Sequence, residues 1–255
     1  NDYIAGQNDY IAGQNDCIAS KSSINEVYQA IEQAKLQSNT FSKYKNIYKN
    51  KDIVLVATGP TINFYKPLKD AVHIGVNRAF CLEKISLDYL FMQDYAAVSG
   101  YIENVSHLPC KKFYGIIPPS WSPKIVIPES IAIKHQAERY YIEVMIGREI
   151  AEPLPYDISV WPFKDWGSVI LPTAQFALYT NPRRIYLTGC DTSNAGYFDK
   201  TQPIYPLGVD SIIYGWKKIK EMAAIYYPET EIISVNPVGL KGIFKDVYTE
   251  EYLNE

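Results

Sequence analysis

The stretch Lys51–Phe80, KDIVLVATGPTINFYKPLKDAVHIGVNRAF, decides the fold class. Its first apolar run, Ile53 to Ala57, ends in Thr58-Gly59-Pro60-Thr61, and its second, Val72 to Val76, ends in Asn77-Arg78. Continuous β-branched runs mark strands buried on both faces of a parallel sheet, and open α/β sheets bind ligands outside the carboxyl ends of their strands. Two consecutive strands therefore deliver small polar clusters to one sheet edge, where a nucleotide would sit.

The same alternation continues downstream. Strand 88–92 (DYLFM) ends in Gln93-Asp94, and further strands are expected over 112–116, 184–187 and 231–235 (EIISV), the last ending in Asn236-Pro237. Helices are expected over 62–69, 79–84, 95–104, 168–179 and 214–227. Alternating strands and helices predict an α/β fold with a mostly parallel sheet and helices on both faces. Seven prolines between 117 and 163 make that stretch an irregular insertion, with one helix expected at about 134–146. Thr188-Gly189-Cys190-Asp191 opens a loop rich in Gly, Pro, Asn and Tyr, expected to act as a lid over about 192–212. Loops of that length are functional or disordered.

Upstream, residues 1–21 repeat with a period of seven: NDYIAGQ, NDYIAGQ, NDCIASK. Ile4, Ile11 and Ile18 are in register, but the second seam position holds Gln7, Gln14 and Lys21, and each perfect unit carries a helix-weakening glycine. A duplicated tail of variable length and a weak oligomerising helix both fit. Residues 22–51 read as a helical segment (Ile24, Val27, Ile31, Ala34, Leu36) and a basic linker, so the catalytic domain is expected over 52–255.

A chain of 255 residues fits one substantial α/β domain with an appendage. A net charge of −3 and a pI near 5.7 argue against nucleic acid as a partner, which needs a basic footprint. Four cysteines without metal spacing (Cys17, Cys81, Cys110, Cys190) point to free thiols in a reducing compartment. No apolar run approaches the ~20 residues of a membrane span, and the N-terminus lacks a basic region followed by an apolar core. Cytoplasmic location is expected, with peripheral attachment to an inner membrane left open. The 22 tyrosines fit either a coding bias or a sugar-facing surface.

The chemistry is carried by the strand ends. GxGxxG and the GxxxxGK[ST] phosphate loop are both absent. Gly59 lets backbone approach a ligand, and the helix start after it favours an anion. Asn77 and Gln93 offer donors and acceptors suited to a base or ribose, and Gly189 and Asp191 lie at another strand end. All of these also serve as ordinary turn and cap residues. No DxD occurs, and a diphosphate donor held through a divalent cation usually wants paired carboxylates, so metal-free chemistry is expected. Tyr197 in the lid either supplies a hydroxyl to a leaving phosphate or plugs the lid down. His73 is expected inside a strand, and His107 and His135 on irregular or helical surface, so a carboxylate is the better general base.

Taken in order, KDIVLVATGPTI, GVNRAF, YLFMQD, WGSVILPTAQFAL, RRIYLTGCDTSNAGYFD and EIISVNP resemble the bacterial sialyltransferases of glycosyltransferase family 42 and the related proteins around motility accessory factors. The resemblance spans about 52–237, and the proline-rich middle matches poorly. It implies a modified Rossmann-type, GT-A-like domain with a lid, a CMP-sialic acid donor, no metal and no other cofactor. By motif, Gly59 and Thr61, with Thr58 and Pro60, would approach the nucleotide phosphate. Asn77 and Gln93, with Arg78 and Asp94 beside them, would contact ribose or donor, and Ser168 would touch the donor. Gly189 and Asp191 would line the base or ribose pocket, and Tyr197 would be the lid tyrosine. The family's second tyrosine is replaced by Thr192-Ser193, and its histidine by Gly208-Val209-Asp210, which makes Asp210 the candidate base. The expected activity is inverting transfer of a CMP-activated sugar to a bacterial surface glycan, as in lipopolysaccharide or capsule synthesis. Its expected partners are the nucleotide-sugar donor and a glycan acceptor, with homo-oligomerisation left open. The alternatives are an enzyme of another nucleotide, such as a UDP-sugar transferase or pyrophosphokinase, and a non-catalytic nucleotide-binding homologue.

Overall fold

Nine parallel strands in the order β6-β5-β4-β3-β2-β1-β7-β8-β9 form the frame of the computed structural model, which describes residues 24–117, 125–201 and 208–254. The heptad tail (1–21), the run holding Pro118, Pro119 and Pro123, and lid residues 202–207 lie outside the described residues.

The central strands follow from their sequence. β1 (Asp52–Val56) and β2 (Val72–Val76) pair with Ile53 opposite Val72, and Ile53 to Val56 are wholly buried. Beyond β2 come β3 (Tyr89–Met92), β4 (Lys111–Ile116), β5 (Glu138–Val144) and the short edge strand β6 (Phe163–Asp165). On the other side of β1 lie β7 (Arg184–Thr188), β8 (Glu231–Val235) and β9 (Lys245–Val247). The winding direction thus reverses between β1 and β7, the place where open α/β sheets commonly bind ligands outside the carboxyl ends of their strands.

One face of the sheet carries α1 (residues 24–41), α4 (Ile170–Tyr179) and α5 (Val209–Tyr226) over an aromatic core. All ten residues of α4 are buried, because it is packed between the sheet and α5. Gln175 on α4 accepts from the Lys164 amide at 3.1 Å and donates to the Lys164 carbonyl at 2.7 Å, completing the hydrogen bonding of edge strand β6. The opposite face carries α2 (Tyr95–Val98), α3 (Glu129–Lys134) and 3-10 turns. The C-terminal α6 (Glu250–Leu253) follows β9.

Residues before β1 join the same core. Phe41, fully buried, lies within 5.1–6.4 Å of the rings of Tyr44, Phe113, Tyr140, Phe163 and Phe176. Buried Gln37 donates to the carbonyls of Ile158 and Trp161 and accepts from the Tyr141 amide, fastening α1 to β5 and to the proline-rich stretch. Truncating Phe41 to Ala is expected to cost about 3–5 kcal/mol, read as a lower urea midpoint with an unchanged slope.

Several local expectations are corrected. The helix expected at 134–146 is β5: Gln136 turns the chain at φ 52°, and ERYYIEV then buries Tyr140, Ile142 and Val144 in alternation. The helices expected at 62–69 and 79–84 are 3-10 turns, Pro60–Phe64 and Asn77–Cys81. The one at 95–104 splits into α2 and a 3-10 turn, Ile102–Val105. α5 begins at Val209, five residues before the expected start. His135, expected on the surface, is buried and bonded to the Tyr114 hydroxyl at 2.8 Å. No helix among the described residues is long and apolar enough to cross a membrane.

Candidate functional site

At the reversal point the ends of β1 and β7 are drawn tightly together. The Ala57 amide donates to Thr188 O at 2.9 Å and the Gly59 amide to Gly189 O at 2.8 Å, extending the ladder past both strands. A Cβ on Gly59 would stand 2.5 Å from Asp191 Cγ and 2.6 Å from Gly189 O, so a glycine is needed to let the Asp191 carboxylate in. That carboxylate accepts from the Thr61 amide at 3.1 Å and from the Thr61 hydroxyl, at the start of the 3-10 turn that Pro60 opens. Burial pushes its pKa up, and the two Thr61 donors oppose the shift. A carboxylate therefore occupies the anion position to which Gly59 and Thr61 suggest a phosphate, and a ligand phosphate there would have to displace it. Gly239, after β8, donates its amide to Asp191 O at 2.8 Å and seals the far side.

One strand over, Asn77 sits at φ 47° at the end of β2, and its Oδ1 is buried without a hydrogen-bond partner. Arg78 forks onto Asp199, Nη1 to Oδ2 at 2.7 Å and Nη2 to Oδ1 at 3.3 Å, and also reaches the Thr201 hydroxyl. Its guanidinium lies 5.0 Å from the centre of the Tyr197 ring. The Phe198 amide donates to Thr58 O at 2.9 Å. The first half of the lid is thus pinned across β1 and β2, and Tyr197 is half-buried beneath Arg78. Burial raises the Tyr197 pKa, so its phenol keeps its proton and remains a donor.

At the end of β3, Gln93 donates Nε2 to Asp165 Oδ2, while Gln93 Oε1 is a second buried oxygen without a partner. Asp165, at the end of β6, accepts through Oδ1 from the amides of Gly167 (2.9 Å) and Ser168 (2.7 Å). Burial raises its pKa to about 6 against these donors. Asp94 is occupied as the N-cap of α2, accepting from the Ala96 amide at 2.9 Å, and burial raises its pKa too. Asp165 escaped the sequence reading because a three-residue strand after a proline-rich run gives no periodic signal.

The expected catalytic residues are spread along this edge. Asp210 is exposed in the first turn of α5, beside the end of β5, where Ser211 Oγ accepts from the Gly147 amide at 3.3 Å. Thr192, at φ 46°, lies beyond β7: its carbonyl packs on Gly239, and its hydroxyl points to Cys190 O at 3.5 Å. Ser193 Oγ accepts from the Ala195 amide at 3.4 Å. The fold thus gathers Asn77, Arg78 and Tyr197, and joins Gln93 to Ser168 through Asp165. Thr58, Gly59, Pro60, Thr61, Gly189 and Asp191 form the closed reversal point, with Thr192 on its far side.

No protein-family model matches the chain, and no curated protein does. Among solved structures the chain is similar to the sialyltransferase CstII from Campylobacter jejuni in complex with the substrate analogue CMP-3FNeuAc. That likeness has a TM-score of 0.42 and 8% identity, covering 77% of this chain and 86% of that one. It is also similar to an apo α-2,3-sialyltransferase from Campylobacter jejuni, with a TM-score of 0.39 and 12% identity over 72% of this chain and 75% of that one.

Proposed function

We propose that the chain is a glycosyltransferase using a nucleotide-activated sugar, with a CMP-linked acidic sugar as the donor class. One observation carries this reading: Asn77 Oδ1 and Gln93 Oε1, two buried acceptors at the ends of adjacent central strands, have no protein partner. Buried polar atoms are nearly always paired, so a ligand bringing N–H or O–H donors is wanted there. A nucleoside has both, in its exocyclic amine and its ribose hydroxyls.

In this reading Asn77 and Gln93 orient the nucleoside, Ser168 steadies the donor, and the lid brings Tyr197 over the phosphate beside Arg78. The acceptor hydroxyl oxygen attacks the anomeric carbon as the bond from that carbon to the phosphate oxygen breaks. The electron pair leaves with the nucleotide phosphate, which Tyr197 meets with its phenolic proton. Asp210 takes the proton of the attacking hydroxyl. The acceptor is a bacterial surface glycan and the reaction needs no metal or further cofactor, a reading supported by the missing DxD. Among the described residues no three His, Cys, Asp or Glu side chains group as metal ligands.

A second reading, nucleotide binding without transfer, is favoured by the candidate base: Asp210 stands exposed in place of the expected histidine, beside the end of β5 and three strands from β2. Both readings place the protein in the cytoplasm. Thermal unfolding with CMP, a CMP-sugar, CDP, UDP and GDP, each with and without chelator, tests the proposal. CMP compounds are expected to raise the midpoint by binding the native state alone, chelator leaving the rise unchanged. A rise confined to UDP or GDP with metal overturns the donor assignment. Asp210→Asn is expected to keep the CMP shift and to lose about 10²–10⁴-fold in transfer rate; unchanged turnover removes Asp210 from the mechanism.

A further inference from the structure

At the amino ends of the strands, away from the candidate site, a cleft of about 390 Å³ opens between the start of β4 and the end of α3. Lys111, Lys112, Lys134 and His135 line it, Leu108 and Pro109 add apolar surface, and among the described residues no Asp or Glu lines it. Lys112 is only 6% exposed, and its ammonium donates to one protein acceptor, Leu108 O at 2.7 Å. It forms no ion pair among the described residues, whereas Lys218, equally buried, holds Glu221. A buried ammonium is costly unless an opposite charge and further acceptors offset its desolvation. Two of its three N–H groups remain for such a partner. Lys111 and Lys134 stand at the rim, with side chains 39% and 60% exposed, and their partners Glu138 and Glu103 lie outside the lining. Exposed pairs of this kind contribute little to stability and are readily exchanged for a bound anion. Burial, joined by the charges of Lys134 and Lys112 and opposed by Glu103, holds the His135 pKa below its usual range, so the ring is neutral. When the Tyr114 hydroxyl donates to its Nδ1, its Nε2 carries the proton. That Nε2 is buried without a hydrogen-bond partner, and Glu103 Oε2 stands 3.9 Å away.

We propose that this cleft binds a phosphate group. Three lysines act as point charges, which suits a phosphate with its several acceptor oxygens and its second negative charge. A carboxylate, with one charge and two oxygens, would satisfy fewer of the donors. The volume falls within the range of small-molecule sites, about 300–1,000 Å³, so an ester of phosphate has room beside Leu108 and Pro109. The nucleotide proposed above is not the occupant. Lys111 begins β4, whereas Asn77 and Gln93 follow the carboxyl ends of the parallel strands β2 and β3, so the two places lie at opposite ends of the sheet.

The test uses the full chain with two probes, inorganic phosphate and glucose 6-phosphate, each against sodium chloride at matched ionic strength. Acylation of lysines, followed by peptide mass mapping, is expected to slow at Lys111 and Lys134 when a probe is bound and to stay unchanged at exposed Lys217 and Lys241. In Lys111→Gln/Lys134→Gln both substituted side chains are partly exposed, so circular dichroism and the thermal midpoint without probe are expected to match the parent. Its affinity for the probes by titration calorimetry is expected to fall about tenfold or more, since each lost ammonium removes a charged hydrogen bond. The rise in midpoint with CMP is expected to be the same in both proteins, which separates this cleft from the nucleotide site. Glucose 6-phosphate binding at least as tightly as inorganic phosphate assigns the cleft to a phosphate ester, and looser binding assigns it to the free ion. Failure of both probes to bind overturns the proposal. So does protection that chloride reproduces, or a double variant that binds both probes as tightly as the parent.

Discussion

Gly189→Ala is expected to destabilise the protein by about 3 kcal/mol, from left-handed strain of about 1–2 kcal/mol and overpacking of about 1–3 kcal/mol. Gly189 sits at φ 63°, and a Cβ there would stand 2.7 Å from Ala57 O and 2.9 Å from Ile62 Cβ. The carbonyl belongs to the end of β1, whose next residues hold Asp191, so the clash cannot be relieved by turning a flexible side chain. Relief means separating β1 from β7 at the reversal point, which also pulls Thr61 from Asp191. Gly242→Ala is the control: its φ is 77°, but nothing lies within 4 Å of the added carbon. It carries the strain alone, about 1–2 kcal/mol. Urea midpoints of the two variants separate the contributions, and equal losses would mean that close packing of the strand ends is unimportant.

The sheet was legible where burial on both faces forces apolar runs. VHIGV and EIISV were read at the bounds the structure shows, and DIVLV to within one residue. β5 was not, because ERYYIEV suits either period until Gln136 ends the preceding helix in a left-handed turn. The three-residue strands β6 and β9 are too short to leave a pattern. At the site, the rule that ligands gather at strand ends brought out Asn77, Arg78, Gln93 and Asp191 from sequence. Their partners stayed hidden, since Asp165 lies 72 residues from Gln93 and Asp199 lies 121 from Arg78. Such contacts depend on strand order, which local pattern does not encode. The Thr61–Asp191 contact, spanning 130 residues, was hidden for the same reason, although both residues were singled out.

The Gln93–Asp165 pair yields the second large effect, Asp165→Asn, which is expected to leave the fold intact and weaken nucleotide binding tenfold or more. In the parent, Asp165 only accepts: two backbone amides take Oδ1, and Gln93 Nε2 donates to Oδ2. Gln93 is thereby held with Oε1 as its unpaired atom. Asparagine keeps the carbonyl for the two amides but presents an NH2 where Oδ2 stood. Gln93 must then turn its amide over to accept, and the atom left unpaired becomes a donor. A ligand that donates to Gln93 loses its hydrogen bond and meets another N–H, a mismatch worth about 1–3 kcal/mol. Acid acts in the same way: below a pKa of about 6, protonated Asp165 donates to Gln93 and reverses it, so nucleotide affinity of the parent is expected to fall as pH drops through 6. Stability moves in the opposite sense. The folded pKa lies above the ordinary 3.8, so the contribution of the group is fully present below 3.8 and is lost as pH rises through about 6. The Asn variant has no such loss, so at pH 7.5 it is expected to be at least as stable as the parent while binding CMP more weakly. Titration calorimetry with CMP at pH 5.0 and 7.5, on both proteins, checks this. If the Asn variant binds at pH 7.5 as tightly as the parent, Gln93 does not read the nucleotide.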